Sequence, residues 1–275
     1  MSKITFIPVG GLANRMRAMA SAVTLARTAH SAIEFVWFQD WALHAPFFAI
    51  FEQPEELCLR EATRLDALTL DRPRRRNLGL PRLWQRCRFD DCLYEQAVTP
   101  LQESGFDFRQ WADGARHLYM ASYSAFYPYD EALVGELFVP VAEVRREVER
   151  RQERFAPETV GVHIRRTDHA AAIAKSPTHL FFEQLDHDLE RNPALGIFLA
   201  TDSDSVKQEM AGRYGSRVLT AHSTADRSSV DGIRDGVADM YTLARTQRIY
   251  GSFQSTFSEM ASQLGGIPLQ VLSYN

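Results

Sequence analysis

KITFIPVGGLANRM, from Lys3 to Met16, sets the plan of the chain. Lys3 to Val9 is a short apolar run of strand character, and Gly10-Gly11 breaks it. From Ala13 to Ala29, the residues Met16, Met19, Ala20, Val23 and Ala26 fall at helical spacing. Ile33 to Phe38 (IEFVWF) returns to the strand pattern. Strand, glycine turn, helix and strand make a βαβ opening, which predicts a parallel sheet with right-handed crossovers.

A second unit follows the same plan. VAEVRREVERRQERF, from Val141 to Phe155, predicts a highly charged helix that serves as a connector. Strands are then expected at Thr159 to Ile164, Gly196 to Thr201, Ser216 to Thr220, Arg248 to Phe253 and Pro268 to Leu272. Helices are expected at Pro177 to Glu190, Val206 to Tyr214, Val230 to Arg245 and Ser255 to Leu264. The fold class is α/β twice over, with expected domains 1–145 and 146–275. The stretch from about Trp41 to Pro140 resists assignment. It contains RPRRRNLGLPRLWQRCR, from Arg72 to Arg88, which reads as a solvated loop. Its other reading is a contact for an anionic lipid head group or a phosphorylated acceptor.

Composition narrows the function classes. Of the 275 residues, 45% are hydrophobic and 24% charged, as in ordinary soluble domains. A net charge of −4 argues against general nucleic-acid binding. No apolar run is long enough for a transmembrane segment, and MSKITFIPVGG lacks a secretory apolar core. Cys58, Cys87 and Cys92 are odd in number and lack C-x-x-C spacing, which fits a reduced, cytoplasmic setting. H-E-x-x-H, G-x-S-x-G and P-loop patterns are absent.

Four polar clusters fall where expected strands end, the place where open α/β sheets bind ligands. GVHIRRTD (Gly161 to Asp168) carries His163, Arg165, Arg166 and Asp168. An arginine there presents a planar fork of donors to phosphate oxygens, or else closes the strand end in an ion pair with Asp168. GGLANR (Gly10 to Arg15) lets backbone amides approach an anion, or is a tight turn with Asn14 as helix cap. ATDSDS (Ala200 to Ser205) offers Asp202 at a strand tip, with Ser203 or Asp204 as a helix cap. GSFQSTFSEM (Gly251 to Met260) places Ser252, Ser255 and Thr256 around a helix start suited to a diphosphate. Asp239, on the preceding helix, is either a solvated charge or an acceptor for the N1–H and N2–H₂ donors of guanine.

Taken together, GVHIRRTD, FLATDSDS and DMYTLARTQRIYGSFQSTFSEMA resemble the three motifs of the GDP-fucose-dependent fucosyltransferases. The α1,6 branch is the most similar, with the α1,2- and protein O-fucosyltransferases as relatives. GGLANRM resembles the N-terminal glycine turn of those other branches. The resemblance implies a GT-B fold, two Rossmann-like domains facing across a cleft, with the acceptor on the N-terminal side and the GDP-sugar on the C-terminal side. It implies inverting transfer of L-fucose from GDP-fucose to a glycan hydroxyl, with no metal and no separate cofactor. In this resemblance Arg165 grips the β-phosphate, supported by Arg166 and Asp168. His163 meets the nucleotide through its backbone, and Asp239 reads guanine. Ser255 and Thr256 bind the diphosphate, Asp202 opens the second motif, and Asn14 and Arg15 line the cleft.

The chain departs from that pattern in two places. No carboxylate follows Asp168 in DHAAAI, where the α1,6 branch has a glutamate as candidate base. Asp168, His169, an N-terminal-domain residue or an acceptor-assisted route are the options. Ser203 replaces the second aspartate of the second motif. The alternatives are another GDP-sugar or a lipid-linked acceptor, or a nucleotide-sugar-binding protein without catalysis. The lack of the anchor and stem of animal Golgi relatives implies a bacterial cytoplasmic enzyme.

Overall fold

The computed structural model describes residues 2–55, 57–166, 170–221 and 228–274. The chain divides into two compact units, 1–139 and 140–275. The expected boundary at 145/146 falls inside a helix that packs within the second unit, so that helix is part of the unit and not a connector.

In the first unit, β1 (Lys3–Pro8), α1 (Leu12–Thr28) and β2 (Ala32–Trp37) form the expected βαβ opening. They are followed by β3 (Cys58–Glu61), α2 (Asp66–Thr69), α3 (Leu80–Arg88), β4 (Asp91–Leu93), α4 (Glu95–Glu103), α5 (Phe108–Asp113), β5 (His117–Ser122) and α6 (Ala132–Leu137). The sheet is parallel in the order β3-β2-β1-β5-β4. β1 lies at its centre because it is apolar on both faces: Ile4, Phe6 and Ile7 are all buried. Phe6 packs edge-on to Phe35 and stacks on Phe126. Each such ring contributes about 1.5–3 kcal/mol through burial. The arginine-rich segment is not a loop. A short turn at Arg75–Asn77 leads into α3, and Pro81 at the start of that helix suits its missing N–H. Gln85 anchors the helix by donating to the carbonyls of Thr69 and Asp71.

In the second unit, α7 (Ala142–Gln152) precedes β6 (Thr159–Ile164), α8 (Ala170–Lys175), α9 (Thr178–Arg191) and β7 (Gly196–Thr201). Then come α10 (Asp204–Tyr214), β8 (Val218–Thr220), α11 (Val230–Leu243), β9 (Ile249–Gly251), α12 (Thr256–Gly265) and β10 (Leu269–Val271). The order is β10-β9-β6-β7-β8, again all parallel. All six residues of β6 and of β7 are buried, as central strands covered on both faces require. Val160, Val162 and Ile164 share a core with Phe181, Leu185, Ile197 and Met210. Val144 and Val148 of α7 are buried, and that helix packs on α11. No helix among the described residues is long and apolar enough to cross a membrane.

Candidate functional site

β6 is flanked by β9 and β7, so the loops after those strands meet the end of β6 from both sides. On one side, Ser252 Oγ accepts the Arg165 amide at 3.3 Å and donates to the His163 carbonyl. On the other, Asp202 Oδ1 accepts the Arg166 amide at 2.7 Å. The two arginines therefore leave the sheet on a backbone pinned at both edges. Arg165 is half-buried. Arg166 turns back, donating to the Arg165 carbonyl, the Ser176 carbonyl and Thr178 Oγ1. Burial lowers the Arg166 pKa, against the opposite pull of Asp202. Arg166 thus clamps the strand end to the start of α9, a supporting position. Asp168 and His169 lie outside the described residues.

His163 points to the α12 side. Its Nδ1 is 2.7 Å from Ser258 Oγ and 3.1 Å from Ser255 Oγ, and its ring lies against Phe257. Gly251 permits this approach, because a Cβ there would come within 2.8 Å of Ser258 Oγ. Ser255 caps α12, accepting the Ser258 amide. Its hydroxyl is thus committed to His163 and the cap, whereas Thr256 is half-buried at the first helical position. The amides of that first turn have no carbonyl of their own helix to meet, and the helix dipole makes the position favourable for an anion. Gln254, just before the cap, has φ of +52°, a left-handed conformation uncommon for a residue with a side chain. Phe253 is fixed by donating its amide to Ser176 Oγ at 2.8 Å. Ser203 caps α10, and Asp202 serves the strand end.

Asp239 is not a solvated charge. It is buried, and its Oδ1 accepts from Arg151 Nη1 at 2.7 Å. Burial pushes its carboxyl up to about 6, opposed by Arg151. Arg151 in turn donates to Glu147 at 2.6 Å. Sequence reasoning missed Arg151. The signal was its spacing: Val144, Val148 and Arg151 lie at i, i+4 and i+7, which puts the arginine on the buried face of α7. Beside this pair a cavity of about 500 Å³ opens between α7 and α11, walled by three arginines and four carboxylates. Its lining includes none of the strand-end residues.

In the first unit the expectation that Arg15 lines a site needs correction. Its side chain is fully buried, with Nε on the Gly10 carbonyl at 2.7 Å, Nη1 on the Phe38 carbonyl at 2.6 Å and Nη2 on Asp40 at 3.0 Å. The guanidinium also lies 4.6 Å from the Trp37 ring centre. Burial depresses its pKa to about 10, partly offset by Asp40. Arg15 therefore organises the glycine turn from beneath. Asn14 does not cap α1, whose cap position is Gly11. Its Oδ1 is buried without a hydrogen-bond partner beside Gly10, which has φ of +86°.

Among the described residues, no group of three or more His, Cys, Asp or Glu side chains is placed to hold a metal ion. No protein-family model matches the sequence, and neither does any curated protein.

The fold has solved counterparts. Two Rossmann-like units, each a five-stranded parallel sheet, define the GT-B class. The chain is similar to a NodZ α-1,6-fucosyltransferase soaked with GDP-fucose, with a TM-score of 0.65 and 19% identity over 96% of this chain and 93% of that one. It is similar to an Arabidopsis thaliana FUT1 mutant in complex with GDP, with a TM-score of 0.65 and 15% identity, covering 98% of this chain and 70% of that one. POFUT1 in complex with GDP gives a TM-score of 0.61 and 12% identity, covering 98% of each chain. At these identities the likeness is one of fold.

Proposed function

We propose that the chain is a metal-independent, inverting glycosyltransferase that moves L-fucose from GDP-fucose to a glycan hydroxyl, in a bacterial cytoplasm. The observation that carries the proposal is the end of β6, where Arg165 and Arg166 emerge between Ser252 and Asp202 beside the first turn of α12. Solved proteins of the same fold hold GDP or GDP-fucose, which supports a GDP-sugar as donor.

Breaking the sugar–phosphate bond builds negative charge on the departing diphosphate and oxocarbenium character on the sugar. Arg165 stabilises that charge together with the amides at the start of α12 and the Thr256 hydroxyl. Arg166 and Asp202 hold the strand end so that Arg165 need not reorganise as charge develops. The carboxylate of Asp239 accepts guanine N1–H and N2–H₂, and the His163 backbone borders the base. The first unit, with Asn14 beside its glycine turn, takes the acceptor. Asp168 supports Arg165 from the adjoining segment.

The test is donor turnover with defined glycan acceptors, read by mass spectrometry. Transfer of fucose, lost in Arg165→Ala, supports the proposal; GDP binding without any turnover of GDP-sugars favours a binding protein, as the missing glutamate after Asp168 would suit. GDP should raise the thermal midpoint equally with and without EDTA, since ligand binding to the native state stabilises it. Asp239→Ala should weaken GDP far more than UDP.

A further inference from the structure

The first unit carries a surface that the transferase reading leaves unused. On α3, Leu80, Leu83, Trp84 and Cys87 are spaced i, i+3, i+4 and i+7, so they form one stripe. In a water-facing helix that stripe would normally turn inward. Here the inward positions are Pro81 and Gln85, on the other side of the helix, and the apolar stripe is outside. Leu83 is 65% exposed and Trp84 39%. Leu78, before the helix, is 82% exposed, and Leu65 and Leu68 at the neighbouring α2 are also exposed.

The charges within this segment have one sign, with Asp90 and Asp91 following it. Residues 72–89 include seven arginines and no acidic residue, in a chain of net charge −4. Arg72 and Arg74 are turned inward and paired with Asp40 and Asp71. Arg75, Arg76, Arg82, Arg86 and Arg88 are exposed. Arg82 and Arg86 flank the stripe one turn apart. A soluble polyanion would account for the arginines but not for the protruding leucines and tryptophan. A purely apolar partner would account for the leucines but not for five exposed arginines beside them. Interfacial helices combine both, seating Leu and Trp at the acyl boundary and arginines among anionic head groups.

We infer that α3 and the turn before it dock the protein on an anionic phospholipid surface, with Leu80, Leu83 and Trp84 at the interface and Arg76, Arg82 and Arg86 against the head groups. This inference is independent of the nucleotide site in the second unit.

The experiment is flotation of the full chain with vesicles of phosphatidylcholine alone or of equimolar phosphatidylcholine and phosphatidylglycerol. Binding is expected to the anionic vesicles only and to weaken with salt. Arg76→Glu/Arg86→Glu should bind at least about thirtyfold more weakly, from roughly fivefold per cation removed. Leu80→Ser/Leu83→Ser, which keeps every charge, should lose at least about tenfold. All four side chains are exposed, so both variants should keep the wild-type thermal midpoint, which serves as the folding control. Equal binding to both vesicle types, or none to either, would overturn the inference. So would undiminished binding by the leucine variant, because dextran sulfate would then be as good a ligand. Self-association of the wild-type chain, abolished in the leucine variant and unaccompanied by flotation, would assign the stripe to a second copy instead.

Discussion

Arg151 Nη1 donates to Asp239 Oδ1 at 2.7 Å, joining α7 to α11 through a buried charge pair. One carboxylate oxygen is thereby oriented from the side by the guanidinium. Two opposing pH effects follow from the same group.

An ordinary aspartate has a pKa of about 3.9, whereas burial holds Asp239 at about 6. The native chain therefore binds this proton more tightly than the unfolded chain. The contribution of Asp239 to stability is complete below about pH 4 and is lost as pH rises through 6. Under the proposed role of Asp239 the carboxylate is the form that accepts from guanine, so GDP affinity should run the other way and increase from pH 5 to pH 7. Isothermal titration of GDP across that range checks this; a GDP affinity that is flat with pH would remove Asp239 from base recognition.

Replacing Arg151 with Met removes the cation that opposes burial. The Asp239 pKa should rise further, and the midpoint of GDP binding should move to higher pH, with affinity at pH 7 falling about twofold for the first unit of rise and about tenfold for each unit beyond pH 7. Breaking a buried pair on one side costs about 3–5 kcal/mol when the remaining charge cannot escape. Protonation of Asp239 should hold the loss below that. The double variant Arg151→Met/Asp239→Asn should regain stability in thermal melts without regaining preference for GDP over UDP.

Arg165→Ala and Arg166→Ala should separate chemistry from support. Arg165→Ala is expected to lower kcat roughly 10²–10³-fold, the usual cost of one group that stabilises developing charge, with a thermal midpoint near wild type. Arg166→Ala strips donors from the Ser176 carbonyl and Thr178 Oγ1. Each hydrogen bond from a charged group is worth about 1.5–3 kcal/mol, so its midpoint should fall along with its activity. Equal midpoints for the two variants would contradict the clamp.

Gly251→Ala tests the seat of His163. The new methyl would meet Ser258 Oγ at 2.8 Å and Leu269 Cδ1 at 2.9 Å. Displacing Ser258 removes a partner of His163 Nδ1, and the overpacking should cost about 1–3 kcal/mol in chemical denaturation. Gly251→Ala/Ser258→Ala, which gives back the space of the hydroxyl, should recover part of it.

The second unit was largely legible because its strands are long and apolar and its helices long enough to show a period. β7 spans the residues expected from GIFLAT, and β6 those expected from Thr159 to Ile164. The middle of the first unit was not legible. β4 has three residues and α2 four, too few for either periodicity to register. In α3 the pattern was present but inverted, with its apolar stripe outside, so counting arginines alone suggested a loop. At the site, sequence proximity located the strand-end clusters but not which groups are already engaged. Ser255 and Arg15 looked available because nothing local shows His163 reaching Ser255 from 92 residues away or Phe38 and Asp40 closing on Arg15.

The buried guanidinium of Arg15 has a mechanical consequence. It is bolted at once to the carbonyl before the glycine turn's second residue, to the end of β2 and to Asp40, which Arg72 also holds. The tips of two neighbouring strands must then shift in unison or stay still. Any molecule that settles against the Gly10 turn meets a braced platform rather than a pliant hairpin, and amide exchange should show both tips opening in a single step.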